Sequence, residues 1–174
     1  ERRAVPTGVA HDALRALGAA GEDAFRRGLS SPDPTVRVAS CFGCADPGDG
    51  SDAEALARVL AEDENVRVRT AAAAALGVVG GEVPPSELAE AAVLGAPRVR
   101  WSAVSALRSY DDPAAVPPLA AAVGSPDREL ALRAAESLLA LARKPRAGTA
   151  ARAALASSSA WSLDYARAVA ELQS

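Results

Sequence analysis

The 174-residue sequence contains no isoleucine or methionine, and only one asparagine (Asn65), one glutamine (Gln173), one lysine (Lys144) and one histidine (His11). Its aromatic residues are Phe25, Phe42, Trp101, Tyr110, Trp161 and Tyr165, so a core centred on large rings is excluded. Burial has to come from Ala, Val and Leu. A lone histidine rules out a multi-histidine metal site, and it rules out a Ser-His-Asp or Cys-His triad unless His11 itself takes part. Two cysteines three residues apart cannot build the disulfide framework of a small secreted domain. No apolar run reaches the ~18 residues that a membrane span requires, and no charged-then-apolar signal opens the chain. A net charge of −3 with no basic block argues against a general nucleic-acid binder. The sequence begins at Glu1 without any Met, so a trimmed or partial chain is expected.

Alanine fills the space that the missing residues leave, with 44 copies, and arginine supplies 18 of the 19 basic residues. That skew reads as the coding bias of a high-G+C bacterial genome. An apolar share of 49% with 24% charged residues is ordinary for a folded soluble chain, and a cytoplasmic location is expected.

The main signal is an internal repeat. Taking Val68 to Gly77 as a template of ten positions, Val99 to Leu107 matches 31 residues later and Val36 to Cys44 matches 32 residues earlier. Further copies run from Leu130 to Leu138 and from Trp161 to Val169, with a shorter-spaced first copy from Val9 to Gly18. Template positions 1, 5, 8 and 9 share one helical face and carry small or aliphatic residues, which predicts a core-facing stripe. Three residues before position 1 stand Asp33, Asn65, Asp127 and Ser158, each able to cap a helix start, while Ala96 is the uncapped copy. Pro34 and Pro97 fall at the first helical position, where a missing N–H costs nothing.

Second apolar-periodic segments lie between these helices, at 22–29, 52–61, 86–94, 117–123 and 148–155. Pro113 is expected to open a short turn, with Pro117 and Pro118 marking the true helix start. The unit is thus helix, turn, helix, and a hairpin of this size has to stack on its neighbours to bury its apolar face. The boundaries fall at 5–30, 31–62, 63–94, 95–125 and 126–156, with a terminal helix at 158–172, all within one domain at 5–172. The expected fold class is all-α, a right-handed α-solenoid (α-α superhelix) of about five to six stacked helical hairpins.

The run from Asn65 to Gly77, echoed from Asp33 and from Ala96, resembles the short HEAT-like repeat of the phycobilisome-lyase type. The resemblance covers nearly the whole chain and implies an armadillo-like solenoid, but its motif residues are structural. A related-looking family, the deoxyhypusine hydroxylases, holds iron with several His-Glu pairs. This sequence contains no His-Glu, which speaks against that activity.

Several residues invite a chemical role. Cys41 and Cys44 form a Cys-x-x-Cys, but they fall at template positions filled elsewhere by Ala73 and Leu76 or by Val104 and Leu107. They read as small buried hydrophobes, and no zinc is expected. His11 is expected to face solvent. The acidic segment from Asp46 to Asp52 lacks the spacing of a calcium loop and reads as a flexible turn that ends in a cap for the second helix. Arg37, Arg69 and Arg100 occupy position 2 of successive units, about 8–10 Å apart if the helices stack. They could grip an acidic partner as a ladder, or they could bond to loops of their own repeats.

Trp101 sits at position 3, where Val38, Thr70, Leu132 and Leu163 stand in other copies, so it is expected to be half-buried and to become a binding hot spot if exposed. Tyr110, beside Asp111 and Asp112, is the expected exposed aromatic, and Trp161 is expected to plug the end of the array. The turns inside hairpins are acidic (Asp46, Asp49, Asp52, Glu82, Asp111, Asp112) and the starts of first helices are rich in Arg, so two rims of opposite charge are expected.

With no catalytic set, the sequence points to a non-enzymatic protein-interaction or scaffold module, its second helices lining a concave surface that docks a protein or peptide. The candidate partner-binding residues are Trp101, Tyr110, Arg37, Arg69 and Arg100. No catalytic residue, metal or cofactor is expected, nor a membrane or nucleic-acid partner, and the chain is expected to be a monomer or weak dimer. Alternatives from the resemblance are a nucleic-acid-binding or DNA glycosylase-like protein and, with less support, a chromophore lyase-type subunit.

Overall fold

The computed structural model describes residues 19–45 and 52–158. Among them are nine α-helices, one short 3₁₀ turn and no strands. The helices are α1 (Ala19–Gly28), α2 (Pro34–Gly43), α3 (Ala53–Glu62), α4 (Val66–Val79), α5 (Ser86–Leu94), α6 (Pro97–Leu107), α7 (Val116–Val123), α8 (Arg128–Leu141) and α9 (Gly148–Ser157), with the 3₁₀ turn at Pro113–Ala115. The expected copies at 9–18 and 161–169, and with them His11 and Trp161, lie outside the described residues.

Two layers result, as an α-solenoid requires. First helices α2, α4, α6 and α8 pack each on the next, and second helices α3, α5, α7 and α9 do the same. The helix starts follow the chemistry of their caps: Asp33 accepts from the Thr35 N–H at 2.7 Å, Asn65 from Arg67 at 2.9 Å, and Asp127 from Glu129 at 3.1 Å and Leu130 at 3.2 Å. Each satisfies a donor that the first turn cannot. Ala96 makes no such bond, and Pro97 at the helix start removes one donor that would need it. Asp52 does not cap α3; its carboxylate is taken by Arg26, whose Nε donates to it at 2.6 Å.

The core stripe is continuous. Val68, Ala72, Ala75 and Leu76 are fully buried, as are their counterparts Val99, Ala103, Ala106 and Leu107, and Leu130, Ala134, Ser137 and Leu138. Each buried Val or Leu side chain contributes about 1.5–3 kcal/mol relative to exposure. The stripe fails at Val36, which is 43% exposed. The nearby residue on α1 is Gly28, which presents no side chain toward it.

Small residues let the layers approach. A Cβ placed on Gly77 would stand 2.9 Å from both Cα and Cβ of Ala106, so α4 and α6 meet there almost backbone to backbone. Buried serines use the same proximity. Ser102 donates to the Thr70 carbonyl at 3.1 Å and Ser137 to the Val104 carbonyl at 3.1 Å, tying each first helix to the one before it.

Candidate functional site

The position 2 arginines are the first candidates, and the loops explain them. The Arg37 guanidinium forks onto the Asp63 carboxylate at 2.7 and 3.0 Å, and its Nη1 donates to the Ser31 and Pro32 carbonyls at 2.9 and 3.3 Å. Arg69 makes the same backward reach, from Nη1 to the Asp63 and Glu64 carbonyls at 2.6 and 3.1 Å. It meets no carboxylate, because Leu94 stands in the register that Asp63 occupies. Ser125 stands there in the unit after that, and the Nε of Arg100 is buried without a hydrogen-bond partner. Arg37 and Arg69 therefore clasp the loops between repeats rather than forming a free ladder.

Asp63 shows how such a clasp is tuned. Burial is the largest single influence and favours the neutral acid, but the hydrogen bond from Arg37, the N–H of Asn65 and the charges of Arg37 and Arg69 together outweigh it, so its pKa is lowered. A carboxylate lowered in the folded state stabilises the fold above its unfolded value of about 3.9, and that contribution is lost as pH falls through the lower folded value. Asp63→Asn is thus expected to be less stable than the parent at neutral pH, with the gap closing below about pH 4. Urea titrations at pH 7 and at about pH 3 read this directly. A gap that stays constant would remove the charge from the explanation.

Tyr110 is a correction. It is 1% exposed, and its hydroxyl donates to the Leu76 carbonyl at 2.8 Å. Burial pushes its pKa up to about 12. The ring packs beside Gly81, whose backbone bridges to that of Tyr110, so Tyr110 is a structural plug between units and not an exposed contact.

The described acidic residues of this rim are also engaged by neighbouring groups. Asp111 accepts the N–H groups of Arg146 and Ala147 at 3.0 and 2.9 Å, Asp112 accepts from the Arg146 guanidinium at 3.2 Å, and Glu82 lies 3.4 Å from the same guanidinium. Lys144 donates to the Ser109 carbonyl at 2.8 Å. The segment 46–51, with the loop read as a flexible turn, lies outside the described residues. Cys41 and Cys44 are free and buried as expected, and burial is the main cause that pushes both thiols up to about 12.

The exposed aromatic residues lie on the first helices, whereas the second helices were expected to line the docking surface. Trp101 is 41% exposed, and the Arg133 guanidinium sits 4.6 Å from its ring centroid, held from beyond by Glu136 at 3.4 Å. Stacking of this kind attracts the guanidinium to the ring and restrains it, while part of the ring stays exposed. Phe42, at position 7 of its unit, is 43% exposed on the same face. It was not singled out from the sequence, although position 7 elsewhere holds Ala74, Ser105 and Glu136, the signature of an outward row. The second-helix layer offers a groove of about 270 Å³ lined by Leu60, Arg69, Glu87, Glu90 and Leu94, without an aromatic residue.

A family model for HEAT repeats matches residues 22–96, and the chain carries HEAT-like repeats. No curated protein matches it. Among solved structures, human deoxyhypusine hydroxylase in complex with glycerol is similar, at 26% identity and a TM-score of 0.54, over 95% of this chain and 67% of that one. That neighbour is an enzyme, so the expectation of a non-enzymatic scaffold is overturned, and with it the expectation that the chain is not an enzyme. The iron-holding His-Glu pairs that the resemblance implies do not fit these residues. The sequence has His11 alone, and no group of three or more His, Cys, Asp and Glu among the described residues could hold a metal ion. Among those residues no helix is long and apolar enough to cross a membrane.

Proposed function

We propose that this chain is an enzyme-type HEAT-repeat solenoid that takes up a protein or peptide substrate along the outer face of its first helices and presents it for reaction. Deoxyhypusine hydroxylation through bound iron is not the reaction proposed, because the donor set is missing from these residues. The observation that carries the proposal is Trp101, stacked by Arg133 and still 41% exposed, with Phe42 exposed on the same helix layer. Aromatic side chains prearranged in this way bind at low entropic cost. The likeness to an enzyme over 95% of the chain supports the catalytic half of the proposal. Free buried cysteines suit a reducing compartment, so we place the protein in the cytoplasm.

Binding of fluorescein-labelled peptides of mixed composition, each with one leucine or aromatic residue, tests the first half. The best binder is expected to lose about tenfold or more in affinity to Trp101→Ala. Equal binding to both chains, or none to either, would sink the idea. Intact-mass analysis of that peptide in cell extract supplemented with each chain tests the second half. A mass shift added by the parent chain and not by Trp101→Ala is expected, and an unchanged mass rejects the enzymatic half.

A further inference from the structure

Two shallow grooves meet at Ala74 on the first-helix face. The first, about 230 Å³, is bounded by Phe42 and Val66 and carries Arg67 and Arg98; the second, about 360 Å³, is bounded by Trp101 and carries Arg108 and Arg133. No acidic residue lines either groove. Their depth has a simple cause: α4 presents Thr70, Ala74 and Gly77 between the larger Phe42 of α2 and Trp101 of α6. Arg67, Arg98 and Arg108 are exposed, and none of them makes an ion pair among the described residues. Beyond Trp101 the row turns acidic, with Glu129 and Glu136 lining the next depression. In a chain whose net charge is −3, this is a local positive furrow with apolar walls and a negative end.

We propose that the furrow binds an acidic peptide segment bearing one aliphatic or aromatic anchor. The anchor lies between Phe42 and Trp101, and the flanking carboxylates face Arg67, Arg98 and Arg108. This names the chemistry of the partner proposed above and rests on that reading. Guanidinium groups pair with carboxylates through two parallel donors, and exposed charges of this kind govern encounter rate and partner choice more than raw affinity. Apolar walls favour a protein side chain over a phosphate backbone, and a nucleic acid running along the row would meet Glu129 and Glu136.

The test uses fluorescence anisotropy with three labelled peptides that share a central leucine and differ only in flanking glutamate, serine or lysine, beside an oligothymidylate of similar length. The glutamate peptide is expected to bind about tenfold or more tighter than the lysine peptide, and to weaken as salt is raised. The double variant Arg67→Glu, Arg98→Glu is expected to lose that preference, while circular dichroism shows the helices intact. Equal or tighter binding of the lysine peptide or the oligonucleotide overturns the proposal, as does a preference that survives the double variant. If the serine peptide binds as well as the glutamate peptide and Trp101→Ala abolishes both, a polypeptide site stands and the acidic partner falls. If no peptide binds, the polypeptide reading fails and this inference fails with it.

Discussion

Tyr110→Ala is expected to lower the unfolding free energy by about 3–5 kcal/mol, the range for deleting a fully buried aromatic ring. The ring is enclosed between units and cannot be replaced by a neighbour sliding in, because Gly81 beside it has no side chain. Tyr110→Phe separates packing from the hydroxyl. The Leu76 carbonyl keeps a second partner in the Gly80 N–H at 3.0 Å, so removing the hydroxyl does not orphan it. The phenylalanine variant is therefore expected to lose only about 1 kcal/mol. Urea unfolding of the three proteins measures both steps. A loss of under about 1 kcal/mol for the alanine variant would mean that the site collapses, and that Tyr110 is not the plug described. Solenoids are held by contacts between neighbouring repeats, so the alanine variant is also expected to separate the unfolding of the two sides of the array into distinct transitions.

The second large effect concerns the smallest side chain. Gly77 lies inside α4, where alanine would ordinarily gain up to about 1 kcal/mol in helix propensity. Against that gain stands the Ala106 Cα, 2.9 Å from where the new Cβ would be. Backbone cannot rotate away as a side-chain tip can, so α4 and α6 have to move apart. Overpacking of this kind costs about 1–3 kcal/mol, which leaves Gly77→Ala at roughly neutral to 2 kcal/mol less stable. Gly77→Val adds two methyl groups at the same contact with less propensity gain, and is expected to lose more than the alanine variant. Thermal unfolding ranks the pair. A valine variant as stable as the parent would show that the two helices are not locked at this contact.

Much of the repeat was legible because each of its signals is local. A cap needs an acceptor three residues before the stripe, and Asp33, Asn65 and Asp127 supply it; the buried stripe needs only the helical period. Exposure of the aromatics was not legible. Tyr110 is followed in the chain by two acids, Asp111 and Asp112, which reads as solvent, yet both acids turn toward the segment around Arg146 while the ring turns inward. Trp101 was expected to be half-buried in a second stripe. It stands more open because the facing residues on α4, Ala74 and Gly77, are too small to cover it.

The amino-acid sequence alone thus determined the helices, their starts, the period of the stack and the stripe that fills it, since all of these depend on residues within about one helical turn to one repeat of each other. Tertiary structure decided which arginines are spent on loops, which aromatic ring is sealed in and which face stays open. Those outcomes depend on the residue one repeat away: a carboxylate at Asp63 where its successors are Leu94 and Ser125, or a Gly77 that admits Ala106 and leaves Trp101 uncovered. A side chain's fate in a stack is set by the size and charge of its counterpart across the layer, and periodicity places that counterpart without saying what it will do.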